Sequence, residues 1–303
     1  MRIGDDDMKV FLHLLRFVVI ILFICCADCC TSDVYAENSG GFTYTVTDGV
    51  AVVTGYEGEP EFIDIPHEIE GCPVAQIGER AFSSCLTLRR VIFPDSLRKI
   101  GNYAFYACDS LQSAPLPDSV ESLGEGCFCG CTKLSYMRIP SGLTELPDSC
   151  FRACTNLGEV RIPSNIRKIG DFCFSGCTML SCVSLGENLS ETGERAFFMC
   201  SSLESVCIPK SLRSIGKEAF GFIPSNMGAA VKAGFTLSGF DSSPADRYAE
   251  MSGIRFSASS ESTSHLKNGG KTVRLSEFAL NFVIISLIAS SLLRKFLLRR
   301  RIS

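Results

Sequence analysis

Phenylalanine stands at Phe82, Phe105, Phe128, Phe151, Phe174, Phe197 and Phe220, and every step is 23 residues. With 22 Phe in the chain, six further hits in one register arise by chance with a probability on the order of 10⁻⁷. Three other columns keep the same step. Cysteine recurs at Cys85, Cys108, Cys131, Cys154, Cys177 and Cys200. Leucine recurs at Leu88, Leu111, Leu134, Leu157, Leu180 and Leu203. Proline recurs at Pro94, Pro117, Pro140, Pro163 and Pro209, with Gly186 in the one remaining place. A unit this short cannot bury its own apolar face, so the units must stack and share one continuous core.

One unit shows how. Leu88, Val91 and Phe93 give the L-x-x-L-x-L pattern of a leucine-rich repeat strand. Pro94 closes the strand, because proline has no amide proton for a ladder. Leu97 and Ile100 turn inward on the return path, and Gly101 punctuates a turn. Ala104, Phe105 and Cys108 are spaced as on one side of a short helical turn. The predicted fold is a leucine-rich repeat solenoid of 23-residue repeats. It has a parallel β-sheet on one face, short helical turns on the other, and a C-terminal transmembrane helix.

The cysteines follow the repeat. Of the 17, Cys25, Cys26, Cys29 and Cys30 lie near the N-terminus and the other 13 between Cys72 and Cys207. An odd number cannot all pair with one another. A ladder of small buried hydrophobes explains the main column. A second column reads Ala81, Ala104, Cys127, Cys150, Cys173, Ala196, Ala219, which indicates a size requirement rather than a redox one. Zinc at the i, i+4 pairs Cys127/Cys131, Cys150/Cys154 and Cys173/Cys177 is the sharper alternative, and some disulfides are another. The chain has only three histidines, His13, His67 and His265, and none accompanies these pairs. No metal or other cofactor is expected.

Both ends carry membrane signals. Residues 1–36 read as a signal peptide, with Lys9 and Arg16 before the apolar run Phe17 to Ala27 and small-residue cleavage after Ala36. Asp5, Asp6 and Asp7 fit poorly in such a leader, which makes Met8 a candidate start; an uncleaved anchor is the alternative. Phe278 to Leu293 has no charge and is followed by Arg294, Lys295, Arg299, Arg300 and Arg301. A span over 278–298 with a basic cytoplasmic tail at 299–303 follows from the positive-inside rule, against the alternative of an amphipathic surface helix. Residues 259–277 are Ser/Thr-rich and read as a linker. The expected location is the cell membrane, single-pass, with the repeats outside and the C-terminus inside. Net charge is −4, so a basic nucleic-acid footprint is not expected.

The segment Ile77-Gly78-Glu79-Arg80-Ala81-Phe82-Ser83-Ser84-Cys85, repeated in part at Ile215-Gly216-Lys217-Glu218-Ala219-Phe220, resembles the BspA-like leucine-rich repeats of bacterial and protozoan surface proteins. The resemblance implies a β-rich capping unit at 37–80, repeats at 81–222 and a closing unit at 223–258. Thr192 for isoleucine, Pro147 for glycine and Gly186 for proline depart from the pattern. It also implies attachment to host matrix or to other cells.

Strand residues between the buried positions should face outward. They place Arg90, Tyr136, Arg138, Glu159 and Arg161 on one face, a positive patch suited to an extracellular protein or glycan; a plain solvated surface is the alternative. Catalysis finds little support: H-E-x-x-H, G-x-S-x-G and P-loop motifs are absent, and the repeat cysteines lack a nearby His to activate them. Two functions remain from the sequence. One is a surface binding or adhesion protein. The other is a structural envelope component without a specific ligand, with an enzyme a distant third.

Overall fold

The computed structural model describes residues 34–258, 264–268 and 271–275. Residues 1–33 and 278–298, where the signal peptide and the span are expected, lie outside the described residues. Among the described residues no helix is long and apolar enough to cross a membrane. The chain divides into two units, 1–257 and 258–303. The second contains an antiparallel hairpin, Ser264–Asn268 with Lys271–Leu275, inside the stretch read as a linker.

The described part of the first unit begins with three antiparallel strands, β1 (Val34–Ser39), β2 (Phe42–Thr47) and β3 (Val50–Tyr56). Alternation puts Phe42, Tyr44 and Val46 inward. Next come β4 (Phe62–Asp64), β5 (Glu68–Ile69), β6 (Cys72–Ile77) and β7 (Arg90–Ile92). β3 pairs parallel with β6, and β6 with Lys99–Ile100, so this cap seeds the repeats.

Hydrogen bonds between neighbouring coils run along three sides, the two strand sides being broken into shorter ladders. The first is the expected parallel ladder. Glu159, Val160 and Arg161 pair with Cys182, Val183 and Ser184, a step of one repeat. The second lies where only an inward-turning return path was expected. Short parallel strands there pair Glu145–Leu146 with Lys168–Ile169, then Glu191–Thr192, then Ser214–Ile215.

The third side corrects the expectation of short helical turns. Around Phe82, alternate amides look in different directions. Those of Arg80, Phe82 and Ser84 donate to the carbonyls of Asn102, Ala104 and Tyr106 in the next coil, at 2.7–2.9 Å. Those of Ala81, Ser83 and Cys85 donate three residues back within their own coil. A helix would direct all of them along its own axis. The alternation requires left-handed residues two before each Phe and, from Phe82 to Phe197, two after it as well, such as Tyr103, Ala107, Phe172 and Met199. Gly101 has no positive φ; it is there because a Cβ would come within 2.7 Å of the Gly78 carbonyl carbon.

The core is the column set predicted from the repeat. All seven Phe rings are buried and stack coil on coil, with centroids 5.0–5.7 Å apart and planes within 4–14°. The leucine column is buried beside them. Gly186 keeps the turn that proline makes elsewhere. The Leu189 amide donates to its carbonyl at 3.2 Å, as the Ile166 amide donates to that of Pro163 at 3.1 Å. A side chain at Gly186 would strike the Pro163 carbonyl oxygen at 2.6 Å. Thr192 takes an isoleucine place with its hydroxyl buried and, among the described residues, without a hydrogen-bond partner.

The C-terminal end closes with Thr236–Gly239, which pairs parallel with Ser205–Cys207, and with helix α1 (Pro244–Ser252). Ser243 caps α1 by accepting from the Asp246 amide, Pro244 supplies a pre-set first turn, and Gly253 ends it in the left-handed conformation.

Candidate functional site

Outward residues of the first parallel ladder form two rows. The strand alternation that buries Val91, Met137 and Val160 turns their neighbours to solvent. One row reads Phe62, Arg90, Ser113, Tyr136, Glu159, Cys182, Ser205; pairing fixes Phe62, Arg90 and Ser113 as one run and Tyr136, Glu159 and Cys182 as another, and the 23-residue step aligns the two runs and Ser205. The neighbouring row includes Asp64, Ile92, Arg138, Arg161, Ser184 and Cys207.

Four of the five predicted residues are brought together. Tyr136 and Glu159 are register partners on adjacent coils. Arg138 and Arg161 follow two positions later on the same two coils. Arg90 stands apart from them: Ser113 lies between Arg90 and Tyr136, two coil steps or roughly 10 Å.

The face is less positive than the residue types suggested. Arg138 Nη1 donates to both carboxylate oxygens of Asp118, at 3.0 and 3.3 Å. The amide and hydroxyl of Ser141 also donate to Asp118, at 3.1 and 3.0 Å. The Arg138 guanidinium first, and then Ser141, hold the Asp118 carboxyl down at about 2. Arg161 lies 4.0 Å from Glu159, with both side chains well exposed. The centre is therefore two acid–arginine pairs beside an exposed tyrosine, Tyr136 at 57%. Such a surface is polar, nearly neutral and anchored by the aromatic and arginine side chains that dominate binding interfaces.

Phe62, half exposed at 50%, extends this face by one coil and was missed from the sequence. It precedes Arg90 by 28 residues rather than 23, so the repeat period does not find it. The alternation of Phe62, Ile63 and Asp64 was the available signal.

The turn side carries a second set of groups that the sequence reading passed over. The guanidinium of Arg80 lies 5.3 Å over the Tyr103 ring, that of Arg152 5.5 Å over Phe172, and that of Arg195 5.1 Å over Phe198. Tyr103 also hydrogen-bonds Glu125, and Arg195 pairs with Glu218 at 2.6 Å. Arg80, Tyr103, Phe172 and Arg195 all sit at left-handed positions. The cation–π contacts offset part of that backbone cost.

The main cysteine column does more than fill space. Cys108, Cys131, Cys154, Cys177 and Cys200 each direct Sγ at the Phe carbonyl 26 residues earlier, at 3.1–3.3 Å. The thiol proton thus meets a carbonyl that the coil-to-coil amide bonds leave out. Burial pushes the Cys108 and Cys200 thiols up to about 12. It holds those of Cys131, Cys154 and Cys177 well above the usual range. These are packed, protonated thiols rather than nucleophiles. Among the described residues, no group of three or more His, Cys, Asp or Glu side chains is arranged to hold a metal ion.

Comparison with known proteins agrees with this architecture. The family model described as BspA type leucine rich repeat region matches residues 61–166 and 124–226, in six copies. A leucine rich cell surface protein from Faecalibacterium prausnitzii A2-165 has a similar crystal structure, with TM-score 0.54 and 24% identity over 70% of this chain and 72% of that one. A leucine-rich repeat protein from Eubacterium ventriosum ATCC 27560 gives TM-score 0.54 and 22% identity over 64% of this chain and 55% of that one. At these identities the likeness speaks for the fold. A search of curated proteins returns no match.

Proposed function

Since this chain belongs to the BspA-type leucine-rich repeat family, we propose that it is a membrane-anchored cell-surface protein that binds an extracellular protein or glycan. Its solenoid stands outside the cell and its C-terminus inside, and the binding serves adhesion to host matrix or to other cells. The observation that carries the reading is the register of Tyr136 on Glu159, with Arg138 and Arg161 beside them. An exposed tyrosine among arginines is the residue set that anchors interfaces. The bridge between the two coils holds the set in register, which lowers the ordering cost of binding.

Binding of the purified chain to immobilised matrix proteins and to a glycan array tests this. Saturable binding is expected, and the double variant Tyr136→Ala/Arg161→Ala should weaken it at least about tenfold, the equivalent of about 1.4 kcal/mol. Absence of any saturable ligand would leave a structural envelope role as the better reading.

The anchoring is tested separately. Protease applied to intact cells should remove the solenoid and spare a C-terminal tag. Ile285→Arg puts a charge at the expected bilayer centre, costing about 2.5–3.5 kcal/mol on insertion scales, and should release the chain from the membrane. Digestion of the tag with survival of the solenoid would invert the proposed topology.

A further inference from the structure

Cys127 and Cys150 occupy the same place in neighbouring coils, and their sulfurs lie 3.5 Å apart. Both side chains are fully buried. Cys108, Cys131, Cys154, Cys177 and Cys200 of the main column are each committed to a Phe carbonyl instead. Alanine fills the second column before and after, at Ala104 and Ala196, so the choice of partner within it is confined to Cys127, Cys150 and Cys173. Equivalent residues of stacked coils are about 5 Å apart, inside the Cα separation that a disulfide accepts.

We infer that Cys127 and Cys150 are the site of a coil-to-coil disulfide, formed as the chain folds in the presence of a small disulfide oxidant such as oxidised glutathione. One protein thiolate attacks a glutathione sulfur, giving a mixed disulfide and releasing one reduced glutathione. The second thiolate attacks the protein sulfur of that mixed disulfide and expels the other glutathione. Two protein thiols lose two protons and two electrons, and the oxidant's disulfide takes them up. The finished stack buries both sulfurs and holds the Cys150 thiol protonated, so the exchange belongs to the folding chain and the product is then sealed in. The bond would tie together the coil that carries Tyr136 and Arg138 and the coil that carries Glu159 and Arg161.

Peptide mapping tests the assignment without reference to any ligand. The full chain is refolded in mixed reduced and oxidised glutathione, its remaining thiols are blocked with N-ethylmaleimide, and it is digested with trypsin unreduced. Cleavage after Lys99, Lys133, Arg138 and Arg152 separates a peptide with Cys127 from one in which Cys150 is the sole cysteine. These two should be recovered joined. Cys127→Ala, which places alanine as in the neighbouring coils, should abolish the joined pair, and Cys129→Ala should leave it. Recovery of Cys127 and Cys150 as maleimide adducts overturns the inference. So does Cys150 bonded to any other sulfur, or a joined pair that persists in Cys127→Ala.

Discussion

The Tyr248 hydroxyl closes on the backbone of Phe220, accepting from its amide at 3.0 Å and lying 3.2 Å from its carbonyl oxygen. The relationship follows from the polarity of the turn side. From Phe82 to Phe197 each Phe amide donates to the coil that follows. Phe220 is the last in the column and has no such coil. α1 supplies the missing acceptor with a side chain.

Tyr248→Phe keeps the ring and removes that acceptor. It leaves a part-buried amide without its partner, a loss of about 1–3 kcal/mol. Chemical denaturation should show the loss, and hydrogen exchange should show faster exchange at the Phe220 amide than at Phe151. Unchanged exchange at Phe220 would remove the capping role.

The two cysteine columns should respond differently to alanine. Cys154→Ala deletes a buried sulfur and its hydrogen bond to the Phe128 carbonyl at 3.2 Å, leaving that oxygen with the Cys131 amide alone; the lost packing and bond should together cost roughly 1–3 kcal/mol. Cys173→Ala repeats what Ala104 and Ala196 already are, and should cost less than half as much. Equal urea midpoint shifts for the two variants would mean that the sulfur hydrogen bond adds nothing beyond volume.

Thr192→Val should stabilise the chain. The Thr192 hydroxyl is buried without a partner among the described residues, at a position that is Ile169 and Ile215 in the adjoining coils. Replacing the hydroxyl by a methyl group removes a desolvated polar atom at little change in volume. A gain of about 1 kcal/mol is expected in denaturant unfolding.

Stability should fall in alkali. Burial raises Cys108 and Cys200 from 9.0 to about 12, and Tyr248 from 10.0 to about 12. The unfolded chain loses these protons at lower pH than the folded one. Folding is therefore favoured fully below pH 9 and progressively less up to about 12. Each such group contributes up to about 1.4 kcal/mol per pH unit across that window. Denaturant midpoints measured from neutral pH upward, under reducing conditions, should decline from near pH 9.

The period of 23 determined the architecture by itself. A column of Phe and a column of Leu at one spacing leave no way to bury both except by stacking. The buried ring stack, the in-register strands and the outward rows of Arg90, Tyr136 and Glu159 follow from that spacing and from strand alternation. The inward set Phe42, Tyr44 and Val46 is legible in the same way, because β2 alternates as an ordinary half-buried strand does. Other features belong to the stack, where a residue meets partners a whole coil away. The spacing of Ala104, Phe105 and Cys108 fits a helical turn as well as it fits alternate amides turned toward the next coil. Only the presence of that coil, with carbonyls in reach, makes the second arrangement the better satisfied. The Cys154 thiol likewise finds its acceptor one coil away, so its column reads as a size constraint until the coils are stacked. Arg138 looked like free positive charge because Asp118 is 20 residues distant in sequence and 3.0 Å distant in space. Local pattern fixes which side chains are buried; which buried or exposed groups find one another is decided by the coil-to-coil register.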